Sequence, residues 1–278
     1  MPFTNSVDVL SAQAVEKFEE ENYLFETFHE NTKLNCLKAD LFGREISLAL
    51  RNKHFIEGVV NSYKTYTSAD AIPLTLDFAY EKKDLIDIIE RRRSCRQFES
   101  CTMNLKELSF ILRYSYGING SLPQMQGRPK QFVRPVPSAG ALYPLEIYIL
   151  PLSVIELKNN VYHYNVYSHL LEDTGISFKK EQLKDVTAYA DEISNANVII
   201  FITSMFHRNI FKYNNRGYRF IHLDAGHLAQ NICLTSCYLG CSSLPLGGFY
   251  DDEVNDLLQI DGLSEAVIYE IAIGKEKM

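Results

Sequence analysis

Residues from about Gly217 to Leu239 read as one long apolar helix, and that helix limits the folds open to this chain. Leu228, Ala229, Ile232, Cys233 and Leu234 crowd its sides. That is more apolar surface than one face of a small sheet covers, so a second copy of the chain is expected against it, as a homodimer. Gly240 supplies the C-terminal stop. Cys233, Cys237 and Cys241 recur four apart and are expected along one helix face as packing. No His or carboxylate completes a tight cluster around them, so no metal site is expected. Asp224, His227 and Asn231 share a face at spacings of three and four. No Ser or Cys nucleophile has a recognisable elbow, so the set reads as structural, with His227 hydrogen-bonded.

Around that helix the elements alternate. DLIDIIERRR is a short amphipathic helix with Asp84 at its start, and LKELSFILRYSYGI, 105–118, is a second. Residues 119–137, rich in Gly, Pro and Gln, form a long loop. Strands are expected at 145–150, 161–165, 169–172 and 198–203, with a short helix in DDEVNDLLQI and a final strand in AVIYEIAIG. Strands separated by helices give an α/β or α+β fold. Residues 7–70 read as helical and partly irregular, with a joint at Thr65–Pro73. The expected division is therefore a mostly helical extension, 1–82, and a main domain, 83–278.

Bulk properties narrow the function. The 278 residues are 46% apolar, enough for a real core, and carry a net charge of −7 with no basic block beyond Arg91–Arg93. Nucleic acid is a poor partner for such a chain. No apolar run approaches the ~20 residues of a membrane span, and the start, MPFTNSVDVLSAQAV, lacks a basic region followed by an apolar one. A cytoplasmic protein with its six cysteines reduced is expected.

Four places carry chemistry. Arg92, Ser94 and Arg96 stand two apart after a helix. In extended chain they converge, which suits a phosphate monoester, although a solvated basic turn fits the same spacing. The turn Pro137-Ser138-Ala139-Gly140-Ala141-Leu142-Tyr143-Pro144 is built of small residues just before a strand. A flat ligand could approach its backbone, or it is an ordinary tight loop. Pro245-Leu246-Gly247-Gly248-Phe249 offers two unobstructed N–H groups, or a plain strand-end turn. Lys212-Tyr213 is the sharpest feature. A tyrosine alone is a poor base near neutrality, and an adjacent ammonium favours phenolate. Adjacent residues act at one point only if the segment is helical or irregular, and Asn214, Asn215 and Gly217 favour irregular backbone.

Taken together, these motifs resemble the nitroreductase-type flavoproteins, and within them the SagB-type azoline dehydrogenases. The likeness covers about residues 83–278, with a fainter echo in Phe28–Leu34, FHENTKL. It implies an α+β nitroreductase-like fold, an antiparallel or mixed sheet flanked by helices, with FMN held in a homodimer cleft. It implies phosphate contacts from Arg92, Ser94, Arg96 and Lys275, with Lys277 beside it. It implies contacts to the flavin from Ser138, Ala139, Leu246, Gly247 and Gly248. Lys212 and Tyr213 would be the catalytic base. The implied reaction oxidises thiazoline or oxazoline rings of a ribosomally made precursor peptide to azoles, dioxygen reoxidising the flavin, with cyclodehydratase subunits as partners. An NAD(P)H-dependent nitro- or quinone reductase, or an idle scaffold subunit, would share the fold.

Overall fold

The computed structural model describes residues 28, 31, 36–60, 63–66, 70–78, 83–123 and 130–277. The echo at 28–34 falls almost wholly outside them. Phe42–Met278 make one compact unit. Its frame is an antiparallel sheet of β1 (Ala71–Pro73), β2 (Leu145–Pro151), β3 (Asn160–Asn165), β4 (Leu170–Ser177), β5 (Val198–Met205), β6 (Ser242–Leu246) and β7 (Glu265–Gly274). The spatial order is β1-β4-β3-β2-β5-β7-β6. The central strands read LEIYILP and VIIFITSM, and every residue of β2 is buried. Such continuous apolar runs are what a strand covered on both faces needs.

Period-two alternation sorts those side chains onto two cores. On one face Ile147, Ile149, Ile200, Ile202, Ile271 and Ile273 meet Leu108, Ile111 and Leu112 and the helix residues Ile221, Ala225, Leu228, Ala229 and Ile232. On the other face Tyr148, Leu150, Ile199 and Phe201 meet Leu183, Val186, Ile193, Val254 and Leu258. Among the described residues the helices of seven residues or more are α1 (Cys36–Arg51), α2 (Lys53–Val60), α3 (Leu85–Arg91), α4 (Leu105–Tyr116), α5 (His207–Tyr213), α6 (Arg216–Tyr238) and α7 (Asp251–Leu258). Local chemistry sets their ends. The Asp84 side chain accepts from the Ile86 N–H at the start of α3, and Asn104 with Glu107 forms a capping box on α4. Gly240, at φ +72°, ends α6 in the left-handed region.

The fold is the expected α+β arrangement, with local differences. Residues 119–137 hold a two-stranded ribbon, Gly120–Ser121 against Phe132–Val133. The expected joint contributes β1, paired with β4. Cys241 lies beyond the end of α6, so only Cys233 and Cys237 share that helix. Among the described residues no group of His, Cys, Asp and Glu is placed to hold a metal ion, and no helix is long and apolar enough to cross a membrane.

A charged network lies buried in the sheet. Glu146 on β2, 1% exposed, takes Arg208 of α5 at 2.6 Å and His163 of β3 at 2.9 Å. His163 reaches Glu172 of β4 with its other nitrogen, also at 2.9 Å. Burial pushes the Glu146 carboxyl up, but Arg208 and His163 outweigh it and hold the group at about 2. Burial likewise opposes the charge on His163, yet the two carboxylates raise its pKa. Lys64 enters from the segment before β1 and meets Glu265 and the Tyr148 hydroxyl, each at 2.6 Å. Its backbone N–H donates to Glu146. Removing one partner of a buried pair strands the other. Lys64→Met is therefore expected to lower the unfolding free energy by about 3 kcal/mol in urea titrations, because Glu265 loses its counterion.

Candidate functional site

The Ser138–Pro144 turn is strained and clamped. Gly140 sits at φ +64°, Ala141 at +53° and Tyr143 at +45°. Side chains at such angles cost roughly 1–2 kcal/mol each, so neighbours must hold the turn in place. They do. Ser138 donates to Asp224 of α6 at 2.5 Å and accepts the Tyr143 N–H. Gln131 donates to the Ala141 carbonyl, and Arg208 to the Tyr143 carbonyl. The Arg134 guanidinium lies over the rings of Tyr116 and Tyr143, while the Arg134 backbone N–H donates to the Tyr143 hydroxyl.

Lys212 and Tyr213 end α5 as its last two residues, so helical backbone turns both toward one point. That point is Gly140. A Cβ added there would stand 2.6 Å from both the Lys212 ammonium and the Tyr213 hydroxyl. Residue 140 is glycine for two reasons, its left-handed backbone and the approach of this pair. The Lys212 ammonium also lies 5.0 Å from the centroid of the Tyr213 ring. Phe42 and Phe220 pack around that ring.

The second set of residues gathers at the opposite end of β7. Arg92 leaves α3 in extended backbone. Ser94 bridges Ser243 at the start of β6, and the Cys95 N–H donates to the Ser243 carbonyl. Phe98 pairs with Glu276, and the Glu99 N–H donates to the Lys275 carbonyl. Cys95 and Phe98 point inward while Ser94 and Arg96 are exposed. Neither Arg92 nor Arg96 has a carboxylate partner among the described residues. The Lys275 ammonium caps the carbonyls of Leu239 and Gly240. Two free guanidiniums and a hydroxyl on one pinned segment suit a phosphate monoester.

Leu246 ends β6 with its side chain buried, and Gly247 follows into open space, where a Cβ would meet nothing within 4 Å. Gly248 differs, since a Cβ there would press on Tyr189 at 2.5 Å. Only Gly247 thus has open space on its side-chain face; Gly248 packs against Tyr189. Glu270 lies buried beside this turn, opposite Leu246 and bonded to Thr187.

The two sets are well separated. Ser138 is tied to Asp224 and Lys275 to Leu239, fifteen residues along α6, which is roughly 20 Å of helix axis. One chain therefore holds the phosphate-type residues as one group and the Ser138 turn with Lys212 and Tyr213 as another, while Gly247 follows Leu246, which pairs with Glu270 between the two ends of β7. Sequence reasoning missed Asp224 as the clamp on Ser138 and placed the structural bond on His227, which is exposed. It also missed Glu146 and Arg208, although a lone Glu inside LEIYIL signals a buried partner.

Residues 89–275 match the nitroreductase family. The chain belongs to that family, whose members are oxidoreductases that typically bind FMN, and FMN is its cofactor. The chain is 33% identical over 185 residues to a candidate nitroreductase of Methanocaldococcus jannaschii, covering 65% of this chain and 86% of that one. It is 28% identical over 138 residues to the microcin B17-processing protein McbC of Escherichia coli, covering 48% of this chain and 51% of McbC. The chain thus spans about half of that relative. Among solved structures, a nitroreductase-like protein of Anabaena variabilis superposes with TM-score 0.67 at 27% identity, over 89% of this chain and 45% of the other. The E. coli microcin synthetase McbBCD complex with truncated pro-MccB17 shares the fold, with TM-score 0.57 at 19% identity, over 88% of this chain and 99% of the matched one.

Burial raises the carboxyl of Asp224 to about 6, against the pull of Ser138 and the Ala139 N–H. Burial likewise raises Glu270 to about 7, against Thr187. Both folded values lie above the ordinary carboxylate range, so the folded chain keeps protons that the unfolded chain releases. Stability is expected to fall as pH rises from about 4 to about 7. Asp224→Asn and Glu270→Gln should each flatten that slope in thermal melts run across the window.

Proposed function

We propose that this chain is an FMN-dependent azoline dehydrogenase acting on thiazoline or oxazoline rings of a ribosomally made peptide. One observation carries the reading: the Lys212 ammonium and Tyr213 hydroxyl meet at Gly140, in a turn held by strain and clamps. A nitroreductase acting on quinones has no substrate proton to remove and no need for this pair. The similarity to McbC, named for processing microcin B17, supports a peptide substrate.

In the proposed reaction an azoline loses a proton from the ring Cα and a hydride from the adjacent ring carbon, leaving the azole. FMN, when bound, supplies the two-electron acceptor, and dioxygen regenerates it. Tyr213 takes the Cα proton, which the neighbouring carbonyl and imine acidify. The Lys212 amine stands on the same side of Gly140 as that oxygen. Gly140 leaves space for both groups, and Ser138 with Asp224 fixes the turn. Arg92, Ser94 and Arg96 hold the phosphate, with Lys275 nearby. Ser138, Ala139, Leu246, Gly247 and Gly248 line the remainder of the cofactor.

The two groups of residues separated along α6 support a homodimer, in which the turn of one copy completes the phosphate group of the other. Leu85 and Ile86 of α3, each 60% exposed, and Leu223 of α6, 59% exposed, are apolar surface available to such a contact. We place the flavin-binding domain at 83–278 and the extension at 1–82. Cyclodehydratase subunits that make the azoline are the proposed partners, and the cytoplasm the proposed location.

Lys212→Ala and Tyr213→Phe should retain FMN and lower azoline oxidation by about 10²–10⁴. The double variant should cost little more than either single change. The assay is mass spectrometry of a peptide carrying a preformed thiazoline, read as loss of two hydrogens. Wild-type rates in both variants would remove the pair from catalysis. A wild type that ignores azolines but turns over NADPH with quinones would make it a nitro- or quinone reductase.

FMN at 100 times its dissociation constant should raise stability by about 2.7 kcal/mol. The shift should shrink in Arg92→Ala/Arg96→Ala when melting is followed with and without cofactor. A double variant that binds FMN as wild type does would move the phosphate elsewhere.

A further inference from the structure

A cavity of about 420 Å³ lies between α2 and α5, lined by Asn52, Phe55, Gly58, Val59, Leu142 and Phe211, with His54, His207 and Arg208 at its polar edge. That volume is in the range of small-molecule sites. Its position ties it to the Lys212-Tyr213 pair. The α5 residues on its wall precede the pair by one to five positions, and Leu142 belongs to the turn whose Gly140 receives it.

The lining is apolar and carries little free charge. Arg208 is spent on Glu146 and on the Tyr143 carbonyl. His54 lies on the exposed rim with Glu57 3.8 Å away. Phe55 and Phe211 stack with centroids 4.7 Å apart, and Phe211 is still 51% exposed.

Gly58 is the telling residue. It lies within α2, where glycine costs about 1 kcal/mol relative to alanine. No backbone need explains it, since its φ is not left-handed and a Cβ would meet nothing within 4 Å. Its effect is to keep the cavity open.

We infer that this cavity is a specificity subsite, seating a large apolar or aromatic side chain of the peptide residue next to the azoline. The inference rests on the azoline reading, because it takes the occupant to belong to the same peptide whose ring reaches Lys212 and Tyr213. Gly58 keeps the volume, Phe211 and Phe55 supply the contact face, and Leu142 fixes the distance to the ring.

The test uses the full-length FMN-loaded protein and two short thiazoline peptides, one flanked by Phe and one by Gly. Affinity is measured by calorimetry, and oxidation separately by mass. Wild type should bind the Phe-flanked peptide tenfold or more tightly than the Gly-flanked one. Gly58→Leu replaces glycine with a strong helix former, so the fold should be kept and the melting temperature unchanged or raised. It should bring the affinity ratio close to one, and Phe211→Ala should reduce the ratio from the other wall. An equal affinity of wild type for both peptides, or an unchanged ratio in Gly58→Leu, overturns the subsite. Conversion of a dimer to a monomer by Gly58→Leu, read by light scattering, also overturns it and assigns the space to a second copy. A Phe preference without oxidation sinks the azoline reading and leaves the subsite standing. Oxidation without a preference does the reverse.

Discussion

The contact between Glu146 and Arg208 holds this molecule's working parts in register. Glu146 follows the strained turn by two residues, at the start of β2, and Arg208 lies in the first turn of α5. Their 2.6 Å contact is almost fully buried, where an unpaired charge is costly. Arg208 also donates to the Tyr143 carbonyl, so one guanidinium locks a strand, a turn and a helix together. The meeting of Lys212 and Tyr213 at Gly140 follows from that lock. The pair is placed by a rigid sheet through a short helix and not by a free loop, which gives it the fixed geometry that the proposed proton transfer would need.

The sheet contributes in a second way. Because β2 and β5 are covered on both faces, their ends are the places left for chemistry. The end near Glu265 carries the strained turn and α5. The end near Gly274 carries the pinned Arg segment and the C-terminal lysines. Seven antiparallel strands thus keep a cationic end and the Lys212-Tyr213 end apart, and α6 spans the distance between them.

Much of this was legible in the sequence, for reasons specific to each element. The apolar runs at 145–150 and 198–203 announce buried strands, and Gly240 announces the end of α6 to within a residue. Lys212 next to Tyr213, and the small residues of 137–144, marked segments that the fold brings together. The sequence said less about β6, because SSLPL, short and holding a proline, reads as a turn until β7 pairs with it. It could not show that Lys212 and Tyr213 meet Gly140, a contact across more than seventy residues set by tertiary packing. Spacing put Asp224 and His227 on one helix face but could not tell which of them turns inward. Only the fold gives Asp224 to Ser138 and leaves His227 exposed.

The sheet also accepts a lysine from outside the matched region. Lys64 precedes the first residue of the nitroreductase match by twenty-five positions, yet its ammonium sits against Glu265 and its N–H against Glu146. Tyr66 adds its N–H to Glu172 and its hydroxyl to Tyr148. The segment 63–66 therefore acts as a built-in counterion for acids that the sheet cannot solvate. Heredity of sequence and autonomy of folding have different borders here. A chain cut to the matched span would keep every residue proposed to touch the cofactor and the azoline, while leaving the buried Glu265 to find another cation.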